Sequence, residues 1–167
     1  GGGAITSGAH NELYELAQKI QSPVTLTLMG IGAYPSTDEY YTGMVGMHGT
    51  KASALAVSEC DLLIVIGARF SDRVLCNPKT FAKNAKTIHI DADAAEINKN
   101  ILAYHHILGD VKEVLIRLNK MLSQSKHNEW LSTIAEWKRK YPIDQARADS
   151  VMPQQIIEKA WQLTGGD

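Results

Sequence analysis

The chain has 167 residues, of which 44% are hydrophobic and 21% charged, so it can bury the core of one domain with an appendage. Its formal net charge is -1, and this lack of a basic surplus argues against a nucleic-acid partner. Apolar runs such as Leu62–Ile66 are too short to cross a bilayer, and the amino terminus lacks a signal-peptide pattern. We therefore expect a cytoplasmic protein without a membrane partner.

Short segments rich in β-branched residues alternate with segments of helical periodicity along the first two thirds of the chain. The predicted strands are Val24–Leu28, Asp61–Gly67, Lys86–Asp91 and His106–Leu108. The predicted helices are Ala9–Gln21, Thr50–Cys60, Ala94–Ile101 and Val111–Leu122. This alternation predicts a doubly wound, mostly parallel sheet in a Rossmann-like three-layer α/β/α domain over residues 1–122.

Residues 123–167 have a different pattern, which predicts a helical connector. One face of a helix ended by Pro142 is formed by Trp130, Ile134, Trp137 and Tyr141, and this stripe is expected to pack on its own domain. After a polar stretch over 144–150, Pro153 is placed to begin another helix. At the other end, glycines lead into a helix where a βα unit normally has a strand. We therefore expect a piece of a longer protein, with an exposed or swapped sheet edge.

Cysteine and histidine patterns indicate neither a metal site nor a catalytic series. Cys60 and Cys76 have no CxxC partner and are interpreted as free thiols. The adjacent His105–His106 pair would point to opposite faces of a strand. His89 and Asp91 share one face, and we interpret them as an ordinary hydrogen-bonded pair.

The glycine pattern does not fit the dinucleotide fingerprint G-x-G-x-x-G between a strand and a helix. Gly1 and Gly3 are followed by Thr6 where the third glycine is needed, and Gly30-Ile31-Gly32 leads toward Pro35 rather than into a helix. An NAD-binding module of an oxidoreductase is therefore disfavoured.

Polar and glycine-rich segments instead follow the predicted strands, at the edge where α/β sheets bind ligands. These segments are Thr27–Met29, "GARFSDR", "IDAD" and Gly109–Asp110. Arg69 and Arg73 offer planar donors for phosphate or a stacked ring, and the aspartates can accept from ribose hydroxyls. "GMVGMHGT" offers close backbone approach, with Thr50 as a helix cap. Each feature alone has a structural explanation, but together they favour a nucleotide-like ligand.

Four segments make the chain resemble a known family: "TLTLMGIGAYP", "GMVGMHGTKASALAVSECDLLIVIGARFSDRV", "TIHIDADAAEINKN" and "ILGDVKEVL". In this order and spacing they resemble the central domain of the acetohydroxyacid (acetolactate) synthase catalytic subunits, which are thiamine diphosphate enzymes. The resemblance covers Gly1 to about Leu122. The combination of G-M-x-G-M-H-G with R-F-x-D-R is its most specific part.

The resemblance implies a three-domain subunit in which this central domain holds FAD, used without net redox. The other domains would bind thiamine diphosphate and magnesium. The subunit would join two pyruvates, or pyruvate and 2-oxobutanoate, to give acetolactate or acetohydroxybutyrate for branched-chain amino-acid synthesis. A homo-oligomer and a regulatory small subunit are also implied.

The motifs carry the FAD contacts of the family onto this chain. The implied FAD contacts are Gly1, Gly2, Gly3, Thr27, Leu28, Met29, Gly46, Met47, His48, Gly67, Ala68, Arg69, Arg73, Val74, Asp91, Ala92, Glu96, Ile97, Gly109, Asp110 and Val111. By the same resemblance, Asp72 and Arg73 border the substrate channel.

The chain departs from the family pattern at Ser71, where many members have aspartate, so one carboxylate near the flavin is lost. It also lacks the G-D-G motif with its distant asparagine and the glutamate that activates thiamine. We therefore expect no catalytic residue and no metal ligand here, and no activity from this chain alone. The alternatives are a flavin-free spacer domain of another thiamine diphosphate enzyme and the NAD-binding module.

Overall fold

The computed structural model describes residues 1–75, 77–143 and 151–165. Its helices are α1 (Gly2–Thr6), α2 (His10–Lys19), α3 (Lys51–Glu59), α4 (Asp72–Leu75), α5 (Val111–Met121), α6 (Asn128–Lys140) and α7 (Pro153–Thr164). Its strands are β1 (Val24–Leu26), β2 (Tyr41–Met44), β3 (Leu62–Ile66), β4 (Lys86–Asp91) and β5 (His105–Leu108). The predictions for Cys76, for the polar stretch 144–150 and for the last two residues lie outside the described ranges.

The strands form two parallel sheets, which confirms the α/β class. One sheet pairs β1 with β2, and the other has the order β3-β4-β5. The sequence predicted one doubly wound sheet, whereas within the described residues no hydrogen bonds join β1 to β3. Strand β2 was not predicted, because Gly43 interrupts its short apolar pattern with a φ of +108°.

The main core lies where α2 and α5 pack together over the sheets. Leu16 and Leu115 are almost fully buried there with Ile90 of β4. Two polar links fix the helix pair: Asn119 Nδ2 donates to the carbonyl oxygen of Glu12 at 2.9 Å, and Lys19 Nζ donates to the carbonyl oxygen of Asn119. Helix α5, which follows β5, is therefore bonded to α2, which precedes β1.

The predicted helix Ala94–Ile101 is wrong, because the structure has only turns and bends there. Short polar side chains supply the hydrogen bonds that a helix would have made. Asp93 accepts from the backbone N–H of Ala95 at 2.9 Å, and Asn98 accepts from that of Ala103 at 2.9 Å. Asn98 also has a φ of +60°, which ends any helical run.

Other boundaries differ only slightly from the predictions. Strand β1 ends at Leu26, since Leu28–Gly30 form a single 3-10 turn, and β5 begins one residue earlier than predicted. In α6 the predicted stripe buries Ile134 and stacks Trp130 edge-on against Trp137, with α6 lying on α3. Within the described ranges, no helix is long and apolar enough to cross a membrane.

Candidate functional site

An open cleft of about 730 Å³ lies at the carboxyl ends of the strands, and we call it the strand-end cleft. This is the size of a small-ligand or cofactor pocket. The predicted FAD contacts that line it are Gly2, Gly3, Thr27, Leu28, Met29, Met47, His48, Gly67, Ala68, Arg69, Arg73, Val74 and Asp91. The structure thus brings together residues from five separate segments of the sequence.

One wall of the cleft is a crossing of two glycine backbones. The N–H of Gly3 donates to the carbonyl oxygen of Gly67 at 2.9 Å. Gly67 has a φ of +56°, and a Cβ placed on it would lie 2.6 Å from the Cα of Gly3. Only glycine fits here without displacement, so this wall consists of main-chain atoms.

The opposite wall joins the loop after β2 to the α4 region. The N–H of Met47 donates to the carbonyl oxygen of Arg73 at 2.9 Å, and the Arg73 Nη1 atom lies 3.7 Å from Met47 Sδ. Gly46 has a φ of +109°, and its Cβ position would lie 3.1 Å from the Cα of Val74. The close neighbour of this glycine is therefore protein backbone, and the contact locks the two loops together.

Asp91 closes the inner end of the cleft at the end of β4. Its Oδ1 atom accepts from the N–H of Asp93 at 3.0 Å, and its Oδ2 atom lies 3.7 Å from Nε2 of the fully buried His89. The same Nε2 lies 3.0 Å from the carbonyl oxygen of Ala68. Burial lowers the pKa of His89, against the opposing effect of Asp91, so His89 is neutral near pH 7 and Nε2–H donates to Ala68.

The loop that carries Arg69 is held in an unusual backbone conformation. Phe70 is buried with a φ of +50°, and its ring packs edge-on against His89 at 5.1 Å between centroids. Asn100 Nδ2 donates to the carbonyl oxygens of Phe70 at 3.1 Å and of Arg69 at 3.3 Å. Burying Phe70 in this way leaves Arg69 exposed at the cleft.

The rim of the cleft combines exposed apolar side chains with two cations. Leu28 is 68% exposed, Met29 is 72% exposed and Met47 is 53% exposed, although all three are large and apolar. Arg69 and Arg73 lie beside them. Exposed apolar surface next to guanidinium groups suits a ligand with both a flat ring system and phosphate groups.

The remaining predicted residues lie away from the lining. Gly1 packs against Gly67 and Ala68, and the N–H of Gly109 donates to the carbonyl oxygen of Asp91 at 2.9 Å. Asp110 caps α5 by accepting from Glu113 N–H. The predicted residues that also do not line the cleft are Gly46, Asp72, Ala92, Glu96, Ile97 and Val111. Their ligand contacts stay predictions.

Four lining residues were not among the predicted contacts: Met44, Val45, Phe70 and Ser71. All four lie inside the two motifs that carried the prediction, so adjacency in the motif is the signal that could have found them. Ser71 lines the cleft at the position where the resembled family often has a carboxylate. Among the described residues, no three His, Cys, Asp or Glu side chains are grouped to hold a metal ion.

Comparison with known proteins gives the family. Residues 1–118 match the family "Thiamine pyrophosphate enzyme, central domain". The chain is 42% identical over 99% of its length to the acetolactate synthase large subunit of Haemophilus influenzae and 43% identical over 98% to that of Cyanidium caldarium. It is 37% identical over its whole length to the isozyme 3 large subunit of Escherichia coli. The chain spans about 30% of the length of these curated relatives. It belongs to the thiamine pyrophosphate enzyme family, of which it carries the central domain.

Proposed function

We propose that the strand-end cleft holds FAD and that the chain acts as the central domain of an acetolactate synthase large subunit. The observation that carries this is the rim of exposed Leu28, Met29 and Met47 beside Arg69 and Arg73. Exposed apolar side chains of this kind have an unfavourable free energy in water, and a ligand that covers them removes that cost. The similarity to acetolactate synthase large subunits supports the same conclusion.

The residues present fit a flavin dinucleotide. The Gly3–Gly67 crossing forms one wall of the cleft from main-chain atoms, because each glycine's Cβ position is taken by the backbone of the other. Arg69 and Arg73 offset phosphate charge, and Asp91 can accept from ribose hydroxyls. FAD would supply a rigid aromatic surface at the edge of the domain.

In the longer subunit, we propose condensation of two pyruvates, or of pyruvate and 2-oxobutanoate, with thiamine diphosphate and Mg²⁺ bound by other domains. Asp72, whose side chain is 86% exposed, and Arg73 are then available to face the substrate channel. A homo-oligomer in the cytoplasm and a regulatory small subunit complete the proposal. The isolated chain is proposed to have no activity.

FAD binding is tested by titrating the chain with FAD and, separately, with NAD, following flavin fluorescence quenching and calorimetric heat. We expect saturable FAD binding and none for NAD. Replacing Arg69 by alanine should weaken FAD binding by about 10- to 150-fold, since a charge-assisted hydrogen bond contributes about 1.5–3 kcal/mol. Arg117→Ala, on the exposed face of α5, is the matched control and should bind as the parent does.

A companion measurement uses a full-length subunit with this domain, because other domains can also contact the flavin. The purified subunit is assayed for bound FAD and for pyruvate consumption with thiamine diphosphate and Mg²⁺. Loss of flavin in the Arg69→Ala subunit supports the cleft as the site. A fully active subunit without flavin would instead favour the spacer domain.

A further inference from the structure

Methionine is concentrated at the strand-end cleft. Of the five methionines in the chain, Met29, Met44 and Met47 line it. Met29 and Met47 are exposed at its rim, so small oxidants in solution can reach both side chains. A thioether is apolar and polarizable, which suits contact with a flat ring, but peroxides convert it to a polar sulfoxide. The rim that we propose to bind FAD is therefore also open to chemical modification.

Met47 is held against a cation by two contacts with Arg73. The N–H of Met47 donates to the carbonyl oxygen of Arg73 at 2.9 Å, and Met47 Sδ lies 3.7 Å from Arg73 Nη1. The backbone bond fixes the spacing of the two residues. The sulfur and the guanidinium group are therefore kept as neighbours, although both side chains are in contact with water.

The guanidinium group of Arg73 can assist oxidation of this sulfur. When a hydroperoxide reacts with a thioether, a lone pair on sulfur attacks one peroxide oxygen, an S–O bond forms and the O–O bond breaks. The sulfur loses two electrons, and the proton of the transferred oxygen passes to the leaving oxygen, so hydrogen peroxide is reduced to water. Negative charge develops on the peroxide oxygens during this step, and an N–H donor beside the sulfur stabilises it.

Met29 and Met121 provide the contrast. Both are more exposed than Met47, at 72% and 80% against 53%. Within residues 1–75, 77–143 and 151–165, Met47 is the methionine whose sulfur accepts a hydrogen bond from a guanidinium group. Exposure and assistance from a cation therefore favour different methionines, and their effects can be separated by experiment.

We propose that Met47 is an oxidation site, at which a hydroperoxide forms the sulfoxide and Arg73 then binds the sulfoxide oxygen. This oxygen is a stronger acceptor than the weakly accepting thioether sulfur, so it withdraws Arg73 from a bound phosphate. The sulfoxide also replaces part of the apolar rim by a polar group. Both changes release FAD, and this last step rests on the proposed function. Methionine sulfoxide reductases restore the thioether, so the modification is reversible.

The first experiment measures oxidation rates in the absence of FAD. The chain is treated with hydrogen peroxide, the reaction is stopped with catalase, and the sulfoxide at each methionine is quantified by tandem mass spectrometry of its peptides. Met121, the last residue of α5, is the internal reference. Exposure alone predicts that Met121 reacts faster than Met47, whereas assistance from Arg73 predicts the reverse order.

We expect Met47 to be oxidised about 3-fold faster than Met121, since a donor in contact with water supplies a small part of what a buried one does. In Arg73→Ala, which keeps the backbone bond to Met47, the rate at Met47 should fall to that of Met121 or below. Arg117→Ala is the matched control and should keep the parental ratio. A parental Met47 no faster than Met121, or an unchanged ratio in Arg73→Ala, would overturn the proposal.

The second experiment measures flavin affinity in a full-length subunit with this domain. The parent, Met47→Leu and Met29→Leu subunits are oxidised, and each is compared with its own unoxidised form by flavin fluorescence. Oxidation should raise the Kd for FAD about 10-fold in the parent and in Met29→Leu, and less than about 2-fold in Met47→Leu. Sulfoxide reductases should restore the affinity of the parent. An equal loss in Met47→Leu, or no recovery after reduction, would contradict release through Met47.

The two experiments separate this inference from the proposed cofactor. A subunit that binds no FAD before oxidation would contradict the proposed function and with it the release step. The rate comparison would still decide whether Arg73 promotes oxidation of Met47, because it contains no flavin. Where FAD binds, it should slow oxidation of Met47 and leave Met121 unchanged, and equal slowing at both would show that the flavin does not cover the rim.

Discussion

Gly3 and Gly67 cross with a main-chain hydrogen bond of 2.9 Å and no room for a side chain between them. This crossing joins the first helix to the loop after β3 and forms one wall of the strand-end cleft. The fit of the two backbones therefore determines both the stability of the domain and the shape of the cleft.

Gly67→Ala should destabilise the chain by about 2–4 kcal/mol. The left-handed backbone costs an L-residue about 1–2 kcal/mol, and the new Cβ would lie 2.6 Å from the Cα of Gly3. Urea denaturation followed by circular dichroism measures the change. Gly8→Ala is the matched control, because Gly8 has a similar φ of +64° but nothing within 4 Å of the added Cβ. An equal loss of unfolding free energy in both variants would show that the contact between Gly3 and Gly67 does not add to the destabilisation.

Thr50→Ala should cost about 1–2 kcal/mol, because it removes the cap of α3. Thr50 Oγ1 accepts from the N–H of Ser53 at 3.1 Å and donates to the carbonyl oxygen of Thr42 at 2.7 Å. Thermal unfolding measures the loss. Thr50→Ser keeps the hydroxyl and should recover most of the stability, and a serine variant as unstable as the alanine variant would contradict the capping role.

The parts of the fold that the sequence predicted are those fixed by local patterns. The apolar run Leu62–Ile66 and the Thr50 cap need no distant partner to be recognised, and both are confirmed. The prediction of a helix at Ala94–Ile101 was wrong although the apolar spacing there is helical, because the side chains of Asp93 and Asn98 accept hydrogen bonds from nearby backbone N–H groups. The spacing of apolar residues does not show whether side chains will compete with a helix for backbone hydrogen bonds.

The strand-end cleft was predictable for a related reason, since parallel strands bring their following loops to one edge. The role of individual residues there was less predictable. Gly46 indicated close approach of a backbone, but whether to a ligand or to Arg73 depends on how the α4 region folds back. His89 looked like an ordinary paired histidine, and only the fold shows that its partner is Ala68 of the Arg69 loop.

His89→Leu should destabilise the chain by about 1–3 kcal/mol, because the partly buried carbonyl of Ala68 loses its donor. The matched control is His106→Leu on the neighbouring strand, where the side chain is exposed and the loss should stay within about 0.5 kcal/mol. Chemical denaturation at pH 7.5 measures both. Similar losses at the two positions would contradict the role of the His89–Ala68 contact.

The same histidine makes stability depend on pH. Burial lowers the pKa of His89 in the folded chain below its ordinary value of 6.5, so the unfolded chain binds the proton more readily. Stability from this group is present above pH 6.5 and is lost as the pH falls below it. Denaturation midpoints between pH 7.5 and 5.5 should therefore fall more steeply for the parent than for His89→Leu. Parallel curves would show that another group causes the dependence.

Cys60 should react slowly with thiol reagents even though it is only half-buried. Burial, with a smaller effect from Asp61, raises the pKa of the Cys60 thiol from 9.0 to about 11, and only the thiolate is nucleophilic. At pH 8 the thiolate fraction is thus about 100-fold below that of an ordinary thiol. Iodoacetamide labelling of the Cys76→Ser chain, once folded and once in concentrated urea, gives the ratio of the folded to the unfolded labelling rate of Cys60. A folded rate within about 3-fold of the unfolded rate would contradict a raised pKa of the Cys60 thiol.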